Sequence, residues 1–149
     1  MSETAPTKVY VQGDWIVSTV AGDTDEAIKQ RYDTLLTALA ARQITNVATW
    51  HIDGVGVGAQ EPGTDVLRNF AQIDAADAVV TFLQRDDPPK RHWGSIALIA
   101  YALARGKRVI VGAGADNVCW KHHAMHHPAI DVVSSSDVDD IPAQLAAAV

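Results

Sequence analysis

Apolar positions along the chain follow two alternating periods, one typical of buried strands and one typical of amphipathic helices. Short runs rich in β-branched and aromatic residues predict strands at residues 9–11, 47–52, 78–83, 109–111 and 130–133. Segments with helical spacing predict helices that are capped or begin near Asp23, Thr64, Trp93 and Ser136. The two clearest apolar faces consist of Ile28, Tyr32, Leu35, Leu36 and Leu39, and of Val66, Leu67, Phe70 and Ile73.

Strands that alternate with helices predict an α/β fold in which a parallel sheet is built with right-handed crossovers. The run at residues 78–83 is taken as apolar throughout, as expected of a central strand covered by helices on both faces. No internal repeat or linker interrupts the pattern. Residues 1–149 are therefore expected to form one domain with five strands, in which residues 1–7 are frayed.

Composition excludes several classes of protein. The chain has 149 residues, of which 48% are hydrophobic, so it can bury a core and is not disordered. A net charge of −6 argues against a general nucleic-acid binder. A single cysteine excludes an internal disulfide, and no apolar run reaches the ~18 residues that span a bilayer. No signal peptide is expected before the first strand. We expect a cytoplasmic protein without a membrane partner.

Ligands of parallel α/β sheets bind beyond the carboxyl ends of the strands. This rule selects four segments, at residues 12–15, 51–61, 84–95 and 112–127. The glycines at residues 54–58 have GxGxG spacing, no helix follows them at once, and no GxxxxGK[ST] motif is present. A flexible loop is favoured there over a phosphate cradle, and no cofactor is expected.

Cysteine and histidine side chains are concentrated at residues 119–127, where Cys119 precedes four histidines. On a helix, His122 and His126 or His123 and His127 would share a face and could bind zinc. A histidine-rich loop that lines a pocket or interface is favoured, because no further ligand of fixed spacing is evident. No metal is therefore assigned. Ser95 lacks a nucleophile-elbow context, and a packed thiol is favoured for Cys119.

Two tryptophans, Trp15 and Trp93, open segments that are expected to rim the pocket. An indole at such a position can stack on the planar ring of a ligand. Ordinary packing beneath the loops is the alternative, and the sequence does not decide between them.

Three blocks of the sequence resemble the nucleoside 2-deoxyribosyltransferase-like superfamily, which includes the deoxynucleoside 5′-phosphate N-hydrolases. The blocks occur in family order at residues 8–13, 72–80 and 94–110, and the most specific residues are IDAADAVV, GS and AYALARGKRVIV. The resemblance implies a flavodoxin-like, Rossmann-like five-stranded sheet. It also implies cleavage of the bond between a nucleobase and (deoxy)ribose, with a glutamate on the helix after the third strand as nucleophile.

The chain departs from the family pattern at the acidic positions. The place of the nucleophilic glutamate falls on Leu98, that of the acid six residues earlier on His92, and that of the acid before the third strand on Asn69. No Asp or Glu occurs between Asp87 and Asp116, so a small register error does not restore the nucleophile.

Three functional hypotheses follow. The leading one is a protein that binds a nucleoside, nucleotide or related ribosyl ligand and has lost the transferase nucleophile. The second is an N-glycoside hydrolase of altered mechanism, with His92 as general acid and a carboxylate from Asp14, Asp53 or Glu61 that stabilises the cation. The third is a non-catalytic interaction protein with a vestigial pocket.

For the leading hypothesis, each candidate residue has an expected role. Trp15 and Trp93 would stack on the base, and His92 would meet a phosphate. The expected hydrogen-bonding residues are Gln12, Asp14, Asn69 and Asn117, and the same pocket would also include Tyr10, Gly13 and Ser95. Asp14 and His92 are the candidates for any catalytic role.

The predicted helix at residues 93–104 is apolar on every side, with Ile96, Leu98, Ile99, Tyr101 and Leu103 distributed around it. Such a helix is normally buried on every side. A homodimer or a higher even-numbered assembly is therefore expected, as the resemblance also implies. Cover by Trp50, Tyr101 and the long loops within one subunit is the alternative.

Overall fold

A computed structural model describes residues 7–13, 26–50, 62–84 and 93–149, with the backbone alone for residues 62, 63 and 93. Its five strands form one sheet in which every neighbouring pair is parallel. In the order β2-β1-β3-β4-β5, the strands are β1 (Lys8–Gly13), β2 (Thr45–Asn46), β3 (Ala78–Leu83), β4 (Arg108–Gly114) and β5 (Ile130–Ser135). The predicted α/β class is confirmed, with the strand order of flavodoxin-like folds.

Helices cover both faces of the sheet. In chain order they are α1 (Glu26–Ala41), α2 (Pro62–Ala75), α3 (Trp93–Ala104) and α4 (Ile141–Ala148). Helices α1 and α4 pack together on one face, and α2 and α3 pack together on the other. The strand order reverses between β1 and β3, so the carboxyl ends of these two strands form the crevice where ligands of such sheets bind.

The apolar faces of the first two helices differ in how well they were predicted. In α1, Ile28, Tyr32, Leu35 and Leu39 are buried as expected. In α2 the prediction is wrong for two positions, because Val66 is 40% exposed and Leu67 is 70% exposed. The buried side of α2 instead carries Ile73 together with half-buried polar residues of the second turn.

The predicted strand at residues 47–52 is also wrong as far as the structure describes it, because β2 ends at Asn46. The Oδ1 atom of Asn46 accepts a hydrogen bond from the Ala48 amide at 3.0 Å, a local turn that competes with strand pairing. The same oxygen accepts from the amide of Val11 in β1 at 3.1 Å. A side chain therefore replaces β2 where the ladder stops.

Side chains also supply the hydrogen bonds of the Val11 carbonyl. The hydroxyl of Tyr32 donates to it at 3.1 Å and Nε1 of Trp50 at 2.8 Å, and the two rings meet edge to face. Burial raises the pKa of the Tyr32 phenol well above its usual range, so the hydroxyl keeps its proton as a donor. Trp50 thus packs against Tyr32 of α1.

Cover of α3 comes from α2. The rings of Phe70 and Tyr101 stack with centroids 4.0 Å apart, and the Tyr101 hydroxyl donates to Asp74 at 2.9 Å. That hydrogen bond and the Arg105 guanidinium hold the pKa of Asp74 below its usual value. The outer side of α3 carries small exposed residues, among them Ala97 and Ala100. Part of the apolar helix is therefore covered within one chain.

The connection from β4 to β5 contains two short 3₁₀ helices, Val118–Lys121 and His123–His126. A third, Val138–Asp140, precedes α4, and its cap is Asp137. The prediction that Ser136 caps the last helix is therefore wrong. In the part of the chain that the structure describes, no helix is both long and apolar enough to cross a membrane.

Gly13 of β1 is paired with Phe82 of β3. A Cβ atom at this position would lie 2.4 Å from the carbonyl oxygen of Phe82, an atom of the neighbouring backbone. By contrast, a Cβ atom at Gly94 in α3 would meet nothing within 4 Å. The glycine at position 13 is therefore required by strand packing.

We expect Trp50→Phe and Tyr32→Phe each to lower the free energy of unfolding by about 0.5–1.5 kcal/mol, because each removes one donor to the Val11 carbonyl. The double variant leaves that buried carbonyl without either donor and should cost about 1–3 kcal/mol beyond the sum of the two. Urea unfolding followed by circular dichroism measures all three. A strictly additive double variant would contradict the shared role of the two donors.

Gly13→Ala is expected to lower the free energy of unfolding by about 1–3 kcal/mol, because the added methyl group forces β1 away from β3. The matched control is Gly94→Ala, which should be neutral or stabilising by up to about 1 kcal/mol, since alanine favours the helix. The same urea unfolding compares them. Equal stability of the two variants would show that the Phe82 backbone moves aside at little cost.

Candidate functional site

The candidate site lies at the carboxyl ends of β1 and β3, on the face that α2 and α3 cover. Gln12 of β1 pairs with Thr81 of β3, and residues paired in neighbouring strands point to the same face of a sheet. Nε2 of Gln12 donates to the carbonyl of Ser95 in the first turn of α3 at 2.9 Å, which places that face beneath α3. Tyr10 lies two residues before Gln12 and shares its face.

Gln12 is the residue that links the sheet to α3. It is 3% exposed, and the donation to Ser95 fixes the orientation of its amide group. Its Oε1 atom has no hydrogen-bond partner among the described residues. Gln12 and Ser95, both predicted as ligand-binding residues, are therefore in direct contact, and their contact with a ligand stays a prediction.

Tyr10 is fully buried, and its hydroxyl also lacks a hydrogen-bond partner in the described part of the chain. Burial raises the pKa of the phenol far above its ordinary value, and the nearby positive charge of Arg68 offsets this only in part. The hydroxyl is therefore protonated at neutral pH. It can donate one hydrogen bond and accept others.

Thr81 was missed by the sequence analysis, which treated residues 78–83 as apolar throughout. Its side chain is fully buried and its Oγ1 atom has no hydrogen-bond partner within the described ranges. The signal was present, because Thr81 is the polar residue in a strand whose other members are Ala, Val, Phe and Leu. A hydroxyl buried in such a strand either forms a hydrogen bond or lowers the stability of the fold.

Charge reaches the site from the second turn of α2. Nη1 of Arg68 lies 3.2 Å from Oδ1 of Asp65, and Nη2 donates to Oδ1 of Asn69 at 3.2 Å. The guanidinium thus ties the predicted residue Asn69 to a carboxylate that the sequence analysis did not single out. Helix α2 runs antiparallel to the strands, so its first turns lie near their carboxyl ends.

Asn117 follows β4 at the same edge of the sheet. It is 7% exposed, and its Oδ1 atom accepts from the amide of Cys119 at 2.9 Å to cap the first 3₁₀ helix. The structure therefore gives Asn117 a local structural role, and its predicted ligand contact stays a prediction.

Two of the histidines, His122 and His127, likewise accept hydrogen bonds from nearby backbone amides. Nδ1 of His122 accepts from the Ala124 amide at 3.1 Å, and Nδ1 of His127 accepts from the Ala129 amide at 3.0 Å. The stretch does not form the α-helix on which i, i+4 zinc ligands would share a face. Across the described ranges, no three Cys, His, Asp or Glu side chains are grouped to hold a metal ion.

Several predicted residues lie outside the described residues. They are Asp14, Trp15 and His92 among the ligand and catalytic candidates, the side chain of Trp93, and Asp53 and Glu61 of the hydrolase hypothesis. Leu98 is described, is half-buried and packs against the core from α3.

No protein-family model matches the sequence, and a search of the curated proteins gives no match. Solved structures do match. BlsM, known from a solution structure, is 15% identical over 96% of this chain and 89% of its own, with a TM-score of 0.75. The CMP N-glycosidase BcmB of Clostridium botulinum is 13% identical over 95% of this chain and 99% of its own, with a TM-score of 0.64. The chain therefore shares the α/β fold of these two proteins along nearly its whole length.

Proposed function

We propose that this protein binds a nucleoside, a nucleotide or a related ribosyl ligand in the crevice between the carboxyl ends of β1 and β3. One observation carries the proposal: three buried polar side chains on one face of the sheet, those of Tyr10, Gln12 and Thr81, each hold an atom without a partner in the described ranges. Buried polar groups are almost always hydrogen-bonded in folded proteins, so these atoms are suited to a ligand.

The class of ligand is supported by two independent likenesses. The sequence blocks resemble the nucleoside 2-deoxyribosyltransferase-like superfamily, and one protein of the same fold, BcmB, is a CMP N-glycosidase. The site chemistry is compatible with both, because amide, phenol and hydroxyl groups are typical partners of sugar hydroxyls and base edges. Beyond the described residues, Trp15 would stack on the base and Asp14 and His92 would complete the pocket.

Loss of the transferase nucleophile is part of the proposal. Leu98 lies one helical turn beyond Ser95, whose carbonyl contacts Gln12, so position 98 is on the part of α3 nearest the site. Its half-buried side chain packs against the core. A leucine can neither attack an anomeric carbon nor stabilise an adjacent cation.

N-glycoside hydrolysis is the second candidate, and Asp65 is the observation in its favour. This half-buried carboxylate in the first turn of α2 is paired with Arg68 at 3.2 Å. An anion near the sugar is what an oxocarbenium-like transition state needs. The ion pair reduces the charge available, which is why binding without turnover ranks first.

We expect ribonucleosides, 2′-deoxyribonucleosides or their 5′-monophosphates to stabilise the protein without losing their bases. A ligand at 100 times its Kd adds about 2.7 kcal/mol of stability, which thermal unfolding detects. Chromatography of the same mixtures should find neither free base nor exchange of deoxyribose between bases. Leu98→Glu alone should not yield an efficient enzyme, because Asn69 and His92 remain non-acidic.

The outcomes separate the hypotheses. Free base released by the unmodified protein would favour the hydrolase, and Asp65→Asn would then test its carboxylate. Robust base exchange would contradict the assignment of the nucleophile position to Leu98. Absence of stabilisation by every compound would favour the interaction protein.

We further propose that two copies associate through the outer surface of α2 and α3. Leu67 and Val66 are 70% and 40% exposed on α2, and Ala97 and Ala100 are exposed on the neighbouring helix. The small residues of α3 would allow close approach of a second copy, and the large apolar side chains of α2 would gain burial.

Light scattering at micromolar concentration is expected to give about twice the 15.9 kDa mass of the chain. Leu67→Glu should shift the mass toward the monomer, because it buries a charge in the proposed interface. The control is Val132→Glu on β5, where the replaced side chain is 54% exposed but lies away from this surface. A monomeric wild-type protein would contradict the proposal.

A further inference from the structure

Gln12 and Thr81 form a pair to which the proposed function gives no specific task. They are directly paired across β1 and β3, at the point where the strand order reverses. Gln12 is 3% exposed and Thr81 is fully buried, yet Oε1 of the first and Oγ1 of the second have no hydrogen-bond partner among the described residues. The two side chains lie on the same face and are not bonded to each other.

The chemistry of the pair is asymmetric. The Nε2 atom of Gln12 already has a partner, because it donates to the Ser95 carbonyl at 2.9 Å. The atom of this amide without any partner, Oε1, can only accept a hydrogen bond. The Thr81 hydroxyl can donate or accept. A partner for both must therefore supply at least one N–H or O–H group.

An anion does not fit this arrangement. A phosphate or carboxylate oxygen would face the carbonyl oxygen of Gln12, and two acceptors repel each other. The positive charge of the site is held elsewhere, on Arg68, where it is paired with Asp65 at 3.2 Å. The pair is therefore suited to an uncharged part of a ligand.

The pair also costs stability in the unliganded protein. The other residues of β3 are apolar, and a valine at position 81 would match its strand neighbours Val79 and Val80. Keeping a hydroxyl in this strand leaves a buried polar group unpaired, which is unfavourable. A residue that opposes stability at a ligand crevice is expected to serve binding.

We propose that Gln12 and Thr81 together recognise an uncharged hydrogen-bond donor of the ligand, a sugar hydroxyl or a base amino or imino group, and so determine specificity. This inference rests on the proposed function, because it assigns a task within the same site. A structural water molecule bonded to both side chains is the competing occupant. It predicts that Thr81→Val lowers the Tm of the unliganded protein.

Stability of the unliganded variants is the first test. Thr81→Val should raise Tm by about 2–4 °C, because a methyl group replaces an unpaired hydroxyl of the same shape. The matched control is Thr49→Val, which should lower Tm, since Gln72 donates to the Thr49 hydroxyl at 2.7 Å. Gln12→Met should change Tm less than Gln72→Met, because both polar ends of Gln72 are bonded to Thr49.

Ligand selectivity is the second test, measured by calorimetry with the tightest binder among the four ribonucleosides and their monophosphates. That compound is compared with its 2′-deoxy and 3′-deoxy forms. It is also compared with a base analogue that lacks the amino group (adenosine with purine riboside, guanosine with inosine, cytidine with pyrimidin-2-one riboside). Removal of the recognised donor should weaken binding to the wild-type protein by about 10–100-fold. In Gln12→Met the same removal should change affinity by less than about threefold, because the acceptor is already gone. In Thr81→Val it should change affinity by less than in the wild-type protein, because one of the two partners is gone.

The results separate failure of this inference from failure of the proposed function. If no nucleoside or nucleotide binds the wild-type protein, the proposed function is overturned and this inference with it. If ligands bind and the two variants keep the wild-type selectivity, the inference alone is overturned. A lower Tm of Thr81→Val, equal to that of Thr49→Val, would overturn it in favour of a structural water.

Discussion

The backbone of Val11 is the point on which the geometry of the sheet edge depends. Strand β2 ends at Asn46, so the amide and carbonyl of Val11 would be left unpaired in the core. Three side chains replace the missing strand, one from α1 and two from residues 46–50: Asn46 accepts from the amide, and Tyr32 and Trp50 donate to the carbonyl. Because an unpaired buried backbone group is costly, these bonds hold β1 in place beyond the end of its neighbour.

The position of β1 in turn determines the position of the candidate site. The two residues that follow Val11 are Gln12, which reaches α3 through the Ser95 carbonyl, and Gly13, which comes close to the Phe82 backbone. If β1 lay farther from β3, Gln12 would lose its bond to the Ser95 carbonyl, and position 13 would not require a glycine. The same end of β1 thus anchors the start of α3 and brings the acceptor of Gln12 beside Thr81.

Sequence patterns predicted well the elements whose burial is nearly uniform. The bounds of β3 and α3 are as expected, because a continuous apolar run is legible without knowing its neighbours. The pattern failed where tertiary contacts decide: Asn46 ends β2 by bonding its own chain, and the packing of α2 leaves Leu67 in solvent. Thr81 was missed because one hydroxyl barely changes the hydropathy of a strand. Its significance depends on the absence of a partner among the described residues, which only coordinates reveal.

The described part of the candidate site combines Leu98, three polar side chains that remain uncharged, and one ion pair. Burial keeps the Tyr10 phenol protonated at neutral pH, the amide of Gln12 and the hydroxyl of Thr81 do not ionise, and the guanidinium of Arg68 is paired with Asp65. A catalyst for glycosidic bond cleavage needs an anion beside the cation that develops in the transition state. These neutral groups carry no such negative charge. Neutral hydrogen-bonding groups in a buried crevice instead discriminate between ligands, because a ligand that lacks the matching group leaves them unsatisfied. In the proposed function, these neutral groups would therefore serve selective recognition of the ligand.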